Sequence, residues 1–166
     1  MMASTHQMLG AAVALYYIQK TGQPHYYPVA FSVAASLIPD IDEPQSKLGS
    51  KVSGLSKTTK HIFGHRTITH SLLGVLIFGL ITNYLLKLTD LPYFIVTFFV
   101  LGYLSHLLGD MLTVSGIPIF YPLNKKYSIP IVRTGGKTEK AFQILIGFVL
   151  VYQVALIFDI NLLHFI

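Results

Sequence analysis

The amino-acid sequence predicts an all-α fold, a polytopic membrane helix bundle of about five helices with the first two short. Three observations carry that expectation. Hydrophobic residues make up 52% of the chain and charged residues only 11%, where soluble domains carry about 25% charged residues. The apolar residues run in long blocks, and the mean hydropathy is +0.59. The ionisable residues collect at the ends of those blocks, where a bilayer tolerates them best.

The first block runs from Met8 to Ile18 and the second from Tyr26 to Ile38. Both fall short of the ~20 residues that a full crossing needs. Each must tilt, or the pair must form a re-entrant hairpin whose ends are buried in protein. No Lys or Arg precedes the first block and no small-residue cleavage site follows it, so it reads as a retained segment and not as a signal peptide. The third block, Ile68 to Leu86, the fourth, Tyr93 to about Leu112, and the fifth, Ala141 to Phe158, are each long enough to span. Residues 1–166 read as a single membrane-embedded domain.

Two polar stretches separate these blocks. Asp42 to Arg66 carries Lys47, Lys51, Lys57, Lys60 and Arg66, and Ser115 to Lys140 carries Lys125, Lys126, Arg133, Lys137 and Lys140. The opposite connections hold only Lys20 and Lys87. If all five blocks cross, both basic stretches share one side, which the positive-inside rule makes cytoplasmic. The formal charge of +5 then reflects cytoplasmic loops that meet anionic headgroups. It does not suggest a nucleic-acid partner, because the basic stretches contain few interleaved aromatics.

The chain has no cysteine, which excludes disulfides and thiolate metal sites. Any metal must be held by nitrogen and oxygen. Candidates exist, and they converge. His6 precedes the first block, Asp40 and Asp42 end the second, His65 and His70 flank the start of the third, and His106 and Asp110 lie late in the fourth. Alternating the blocks across a bilayer brings all of them to one face, the face of the basic stretches. His106 and Asp110 share a helix face at a spacing of four. If the Asp40–Asp42 segment is extended, both carboxylates point the same way. His65 and His70, five apart, fit one site only if His65 lies in the loop or first turn and His70 on the helix. Together these imidazoles and carboxylates exceed the needs of one tetrahedral ion, so one or two ions are expected. Zinc is the leading candidate, with manganese and iron as alternatives. Arg66 has the geometry to grip a phosphate or carboxylate, and Thr69, Ser71 and Thr113 lie within reach as hydrogen-bond donors.

Each feature alone has a plainer reading. A single His at a membrane helix end is most often interfacial; His25 and His164 are read that way, and His61 as a surface residue of a loop. Asp40 and Asp42 alone would serve as a solvated helix end. Glu139 would complement the dipole of the last helix. Gly74, Gly79 and Gly102 are read as close-packing points between helices. The metal-site reading rests on the convergence of seven residues from four segments.

The order His6, then Pro39-Asp40-Ile41-Asp42, then His65-Arg66-x-x-Thr69-His70-Ser71, then Gly102-Tyr103-x-x-His106-x-x-x-Asp110 resembles the LexA-regulated, membrane-bound metal-dependent hydrolase family of bacteria and archaea (YdjM-like). The resemblance covers roughly residues 1 to 123. Thr67 stands where many members have glycine. It implies metal-dependent hydrolysis, with His6, Asp40, Asp42, His65, His70, His106 and Asp110 as ligands or their close supports, and Arg66 as a substrate or structural residue. The His-x-x-x-Asp element is also similar to that of zinc phospholipase C and related helical phosphoesterases, a distant analogy.

The expected activity is therefore hydrolysis of a phosphoester or related bond, in a membrane lipid that keeps its tails in the bilayer. Asp40 or Asp42 would act as general base, and Arg66 would neutralise developing charge. Two rivals make different demands. A metal transporter needs ligands along a path across the bilayer, and a metal-stapled structural protein needs a closed coordination shell.

Overall fold

The computed structural model describes residues 1–42 and 68–159. Among these residues there are five α-helices: α1 (Ala3–Thr21), α2 (Pro28–Ala35), α3 (Leu72–Leu86), α4 (Phe94–Met111) and α5 (Lys137–Ile157). A 3₁₀ turn, Ile38–Asp42, follows α2. No β-strand occurs among the described residues. Two isolated bridges, Thr113 with Val132 and Ile117 with Tyr127, fold the connection after α4 back on itself.

Helix ends follow local chemistry. Gly22 ends α1 in the left-handed region at φ 66°, and its N–H bonds the Ile18 carbonyl, a conformation that costs glycine little. Pro28 opens α2, where its missing N–H would have had no partner anyway. Ser71 caps α3 and accepts from the Gly74 N–H at 3.3 Å. That cap makes α3 shorter than its apolar block: helix begins at Leu72 and not at Ile68. Its 15 residues span only ~22 Å, short of a ~30 Å hydrocarbon core. Conversely, α1 is longer than the block that announced it, at 19 residues.

The helix α4 is the hub. It packs against α1, α2 and α3, while α5 packs chiefly against α1. Ile95, Phe98, Tyr103 and Leu107 of α4 are essentially fully buried. The tightest crossing is at Gly102, where an added Cβ would lie 2.0 Å from the Ser32 carbonyl oxygen. Gly10 of α1 closes on the same place, and the Ser32 hydroxyl donates to the Gly10 carbonyl at 2.8 Å. Small residues thus let three backbones meet. Gly74 is also crowded, whereas Gly79 has only an ordinary contact with Val100.

The outside of the bundle is apolar. Leu76, Leu80 and Tyr84 of α3, and Ile144, Phe148 and Val151 of α5, are largely exposed. Two helices, α4 and α5, are long and apolar enough to cross a membrane. In α5 the most apolar window is only 17% buried, against 56% in α4. A helix that apolar and that exposed suits lipid and not the core of a soluble protein.

Candidate metal centre

Four segments deliver side chains to one end of α4. His6 comes from the end of the first turn of α1, Asp40 from the 3₁₀ turn, His70 from the turn just before α3, and His106 and Asp110 from the last turns of α4. His6, His70, His106 and Asp110 are buried, and the Asp40 side chain is 14% exposed.

Asp40, His70, His106 and Asp110 each offer an atom within 4.8 Å of all the others. The His70 and His106 Nε2 atoms stand 3.3 Å apart. Asp40 Oδ1 lies 3.4 Å from His70 Nε2 and 3.7 Å from His106 Nε2. Asp110 Oδ2 lies 3.6 Å and 3.5 Å from the same two nitrogens. Ligands at 2.0–2.1 Å around a tetrahedral ion are separated by about 3.4 Å. Five of the six edges of this quartet therefore have nearly the spacing that one small cation imposes.

The hydrogen bonding agrees. Asp110 Oδ2 is buried without a hydrogen-bond partner among the described residues, an orphan that ordinarily costs about 1–3 kcal/mol or more. His106 Nδ1 lies 2.7 Å from the Ser36 carbonyl oxygen. A carbonyl can only accept, so Nδ1 carries the proton and the Nε2 lone pair faces the quartet. His70 Nδ1 pairs with the Thr69 hydroxyl at 3.1 Å, which leaves its Nε2 facing the same point. The Thr69 carbonyl accepts from the Tyr103 hydroxyl at 2.7 Å, and Thr113 Oγ1 donates to the Asp110 carbonyl at 2.7 Å. Burial pushes the Asp40 carboxyl up, but the hydrogen bond from His70 and the charges of His106, His6 and His70 outweigh it and hold it at about 2. An ionised carboxylate is the form a metal requires. The group could hold a metal ion.

His6 stands just outside the quartet. Its ring stacks on His106 with centroids 3.7 Å apart, and its Nε2 lies 3.3 Å from Asp110 Oδ1. The terminal amino group of Met1 pairs with the same oxygen. Asp110 thus turns one oxygen to the quartet and the other to His6. Neither His6 ring nitrogen has a hydrogen bond among the described residues, and a neutral imidazole keeps one lone pair that could face a cation.

Other expectations fare differently. His65 and Arg66 lie outside the described residues. The argument that joined Asp42 to Asp40 required extended backbone, and it is corrected: the two lie in a tight 3₁₀ turn that begins at Ile38. The Asp42 side chain also lies outside what is described. His70 precedes α3 and is not part of it. Sequence reading missed the Ser36 carbonyl, which carries no side-chain signal, and gave Glu139 too small a part. Glu139 is fully buried and accepts three hydrogen bonds.

Comparison with known proteins narrows the identity. A family described as YdjM inner membrane protein matches residues 1–163. The inner membrane proteins YdjM of Escherichia coli (strain K12) and Shigella flexneri are each 40% identical over 120 residues, which is 69% of this chain and 60% of theirs. The chain thus spans three-fifths of the length of those relatives. The protein YvsG of Bacillus subtilis (strain 168) is 36% identical over 147 residues, covering 84% of this chain and 86% of its own length. No solved structure matches. With a family match over nearly the whole chain, an apolar exterior and two membrane-length helices, this chain is a membrane protein that belongs to the YdjM family.

Proposed function

We propose that the protein is a membrane-bound metal-dependent hydrolase acting on a phosphoester or related bond of a lipid. The observation that carries the proposal is the quartet of Asp40, His70, His106 and Asp110, whose ligand atoms already have the mutual spacing of a coordination shell. These four residues would hold a divalent cation, zinc first, with His6 fixing the second oxygen of Asp110 or serving a second ion. When bound, such a cation lowers the pKa of a water and polarises a phosphoryl oxygen. Asp40, as a ligand, leaves Asp42 as the candidate general base, and Arg66 is the candidate clamp for phosphoryl oxygens.

The lipid substrate is inferred from the surroundings of the site. Leu108 lies between His106 and Asp110 in sequence and is 59% exposed, and Leu72 and Leu73, next to His70, are also outward. An acyl chain lying along these residues would leave its headgroup beside the quartet. The multi-pass topology, with the site towards the cytoplasm, rests on the basic loops.

A second reading has its own observation in favour. Four protein ligands at tetrahedral spacing make a closed shell, which is the habit of structural metals. In that case the ion would staple the 3₁₀ turn to α4 and to the segment before α3, without hydrolysis. The two readings part at Asp40, the only quartet member with appreciable exposure. A hydrolase requires an open position on that side.

Elemental analysis of detergent-purified protein tests both. Near-stoichiometric metal is expected in the wild type and loss of it in His106→Ala and Asp110→Ala, by 100-fold or more in affinity. A wild type that stays metal-free after incubation with zinc, manganese and iron sinks both readings. Loaded protein that releases no product from phospholipid vesicles, and shows no exchangeable water on the metal, favours the staple.

A further inference from the structure

Glu139 sits in the first turn of α5, far in sequence from every candidate ligand, yet it is fully buried. Its Oε1 accepts from the Met2 backbone N–H and from the Thr5 hydroxyl, both at 2.7 Å. Its Oε2 accepts from the Gly135 N–H at 2.6 Å. Met2 is the N-cap of α1 and supplies no side-chain cap of its own. The first N–H groups of a helix need acceptors, and a carboxylate there also suits the dipole. The cap of α1 therefore comes from another helix. Gln143, one turn along α5, reinforces it by donating to Thr5 Oγ1 at 2.9 Å and to Ser4 Oγ at 3.1 Å.

His6 follows Thr5 directly, and its ring has no hydrogen bond to hold it among the described residues. It is placed by stacking on His106, by the 3.3 Å approach of its Nε2 to Asp110 Oδ1, and by where α1 stands. Clearance is small: a Cβ at Gly109 would come 3.4 Å from the His6 ring and 2.9 Å from Leu9. The position of the first turn of α1 thus sets the distance of His6 from Asp110.

We propose that Glu139 is a positioning residue for the metal centre, holding the first turn of α1 so that His6 meets Asp110 and His106. The inference rests on the metal reading above and adds to it a part for the last helix, which supplies no ligand. A glutamine at this position keeps an acceptor for Met2 and Thr5 and gives up the bond from Gly135. An alanine gives up all three.

The test is titration of full-length, metal-free protein in detergent with cobalt(II) alone, following affinity and the visible d–d bands, alongside melting of the metal-free protein. Glu139→Ala is expected to weaken cobalt binding at least about tenfold and to shift the bands, while Glu139→Gln stays within about threefold of wild type. Thr5→Val, which removes one tether with little change of shape, is expected to fall between them and decides the matter if Glu139→Ala does not fold. A merely structural Glu139 would lower the melting temperature and leave the affinity and bands of the folded fraction unchanged, and that result overturns the proposal. So does a glutamine variant as impaired as the alanine one. A wild type that binds no cobalt instead removes the metal centre itself, and is told apart by the missing bands in every sample.

Discussion

The helices α4 and α5 look alike in composition and are used in opposite ways. Both are long and apolar enough to cross a membrane. The first is enclosed by α1, α2 and α3 and carries His106 and Asp110. The second lies against α1 and turns Ile144, Phe148 and Val151 outward. The difference teaches where ionisable groups can be kept in such a bundle. A helix packed among other helices can offer a carboxylate and an imidazole buried partners along its length, whereas α5 keeps its charged residues at its first turn, Lys137 and Lys140 exposed and Glu139 turned inward.

Substitutions should separate the two helices sharply. The largest effect is expected for Gly102→Ala on α4. The new Cβ would meet the Ser32 backbone at 2.0 Å, which no side-chain rotation relieves, so α2 must move at a cost of about 3 kcal/mol. Thermal or denaturant unfolding in detergent reads this, and a wild-type melting curve would show that the crossing is looser than described. A smaller effect is expected for Thr69→Val. It removes the hydroxyl beside His70 Nδ1 while keeping the shape, and metal affinity should fall about tenfold, measured by competition with a chelator. The smallest is Gly147→Ala on α5. Its Cβ meets only the tip of Met8 at 3.8 Å, so stability should stay within about 1 kcal/mol of wild type, with any change towards greater helix stability. Equal losses at Gly102 and Gly147 would erase the distinction between hub and outer helix.

Much of this plan was legible in the residues. The apolar blocks located the five helices of the described residues because bilayer-facing sequence must be apolar over a whole helix length. Side alternation gathered His6, Asp40, His70, His106 and Asp110, and the spacing of four joined His106 to Asp110. What stayed hidden depends on contacts between distant segments. Where α3 starts is decided by the Ser71 cap. The tautomer of His106 is decided by the backbone carbonyl of Ser36, the residue that caps the C-terminus of α2. The weight carried by Glu139 is decided by where α1 begins relative to α5. Apolar periodicity carries no information about any of these. The period-two argument for Asp40 and Asp42 does not apply for a local reason: the segment Ile38–Asp42 turns helically instead of running extended.

The peripheral place of α5 bears on how the molecule is made. Every member of the quartet lies at or before Asp110, and the helix that follows supplies none of them. All the residues that form the quartet are therefore present in the chain before α5 begins. Arrival of α5 then brings Glu139 to the head of α1.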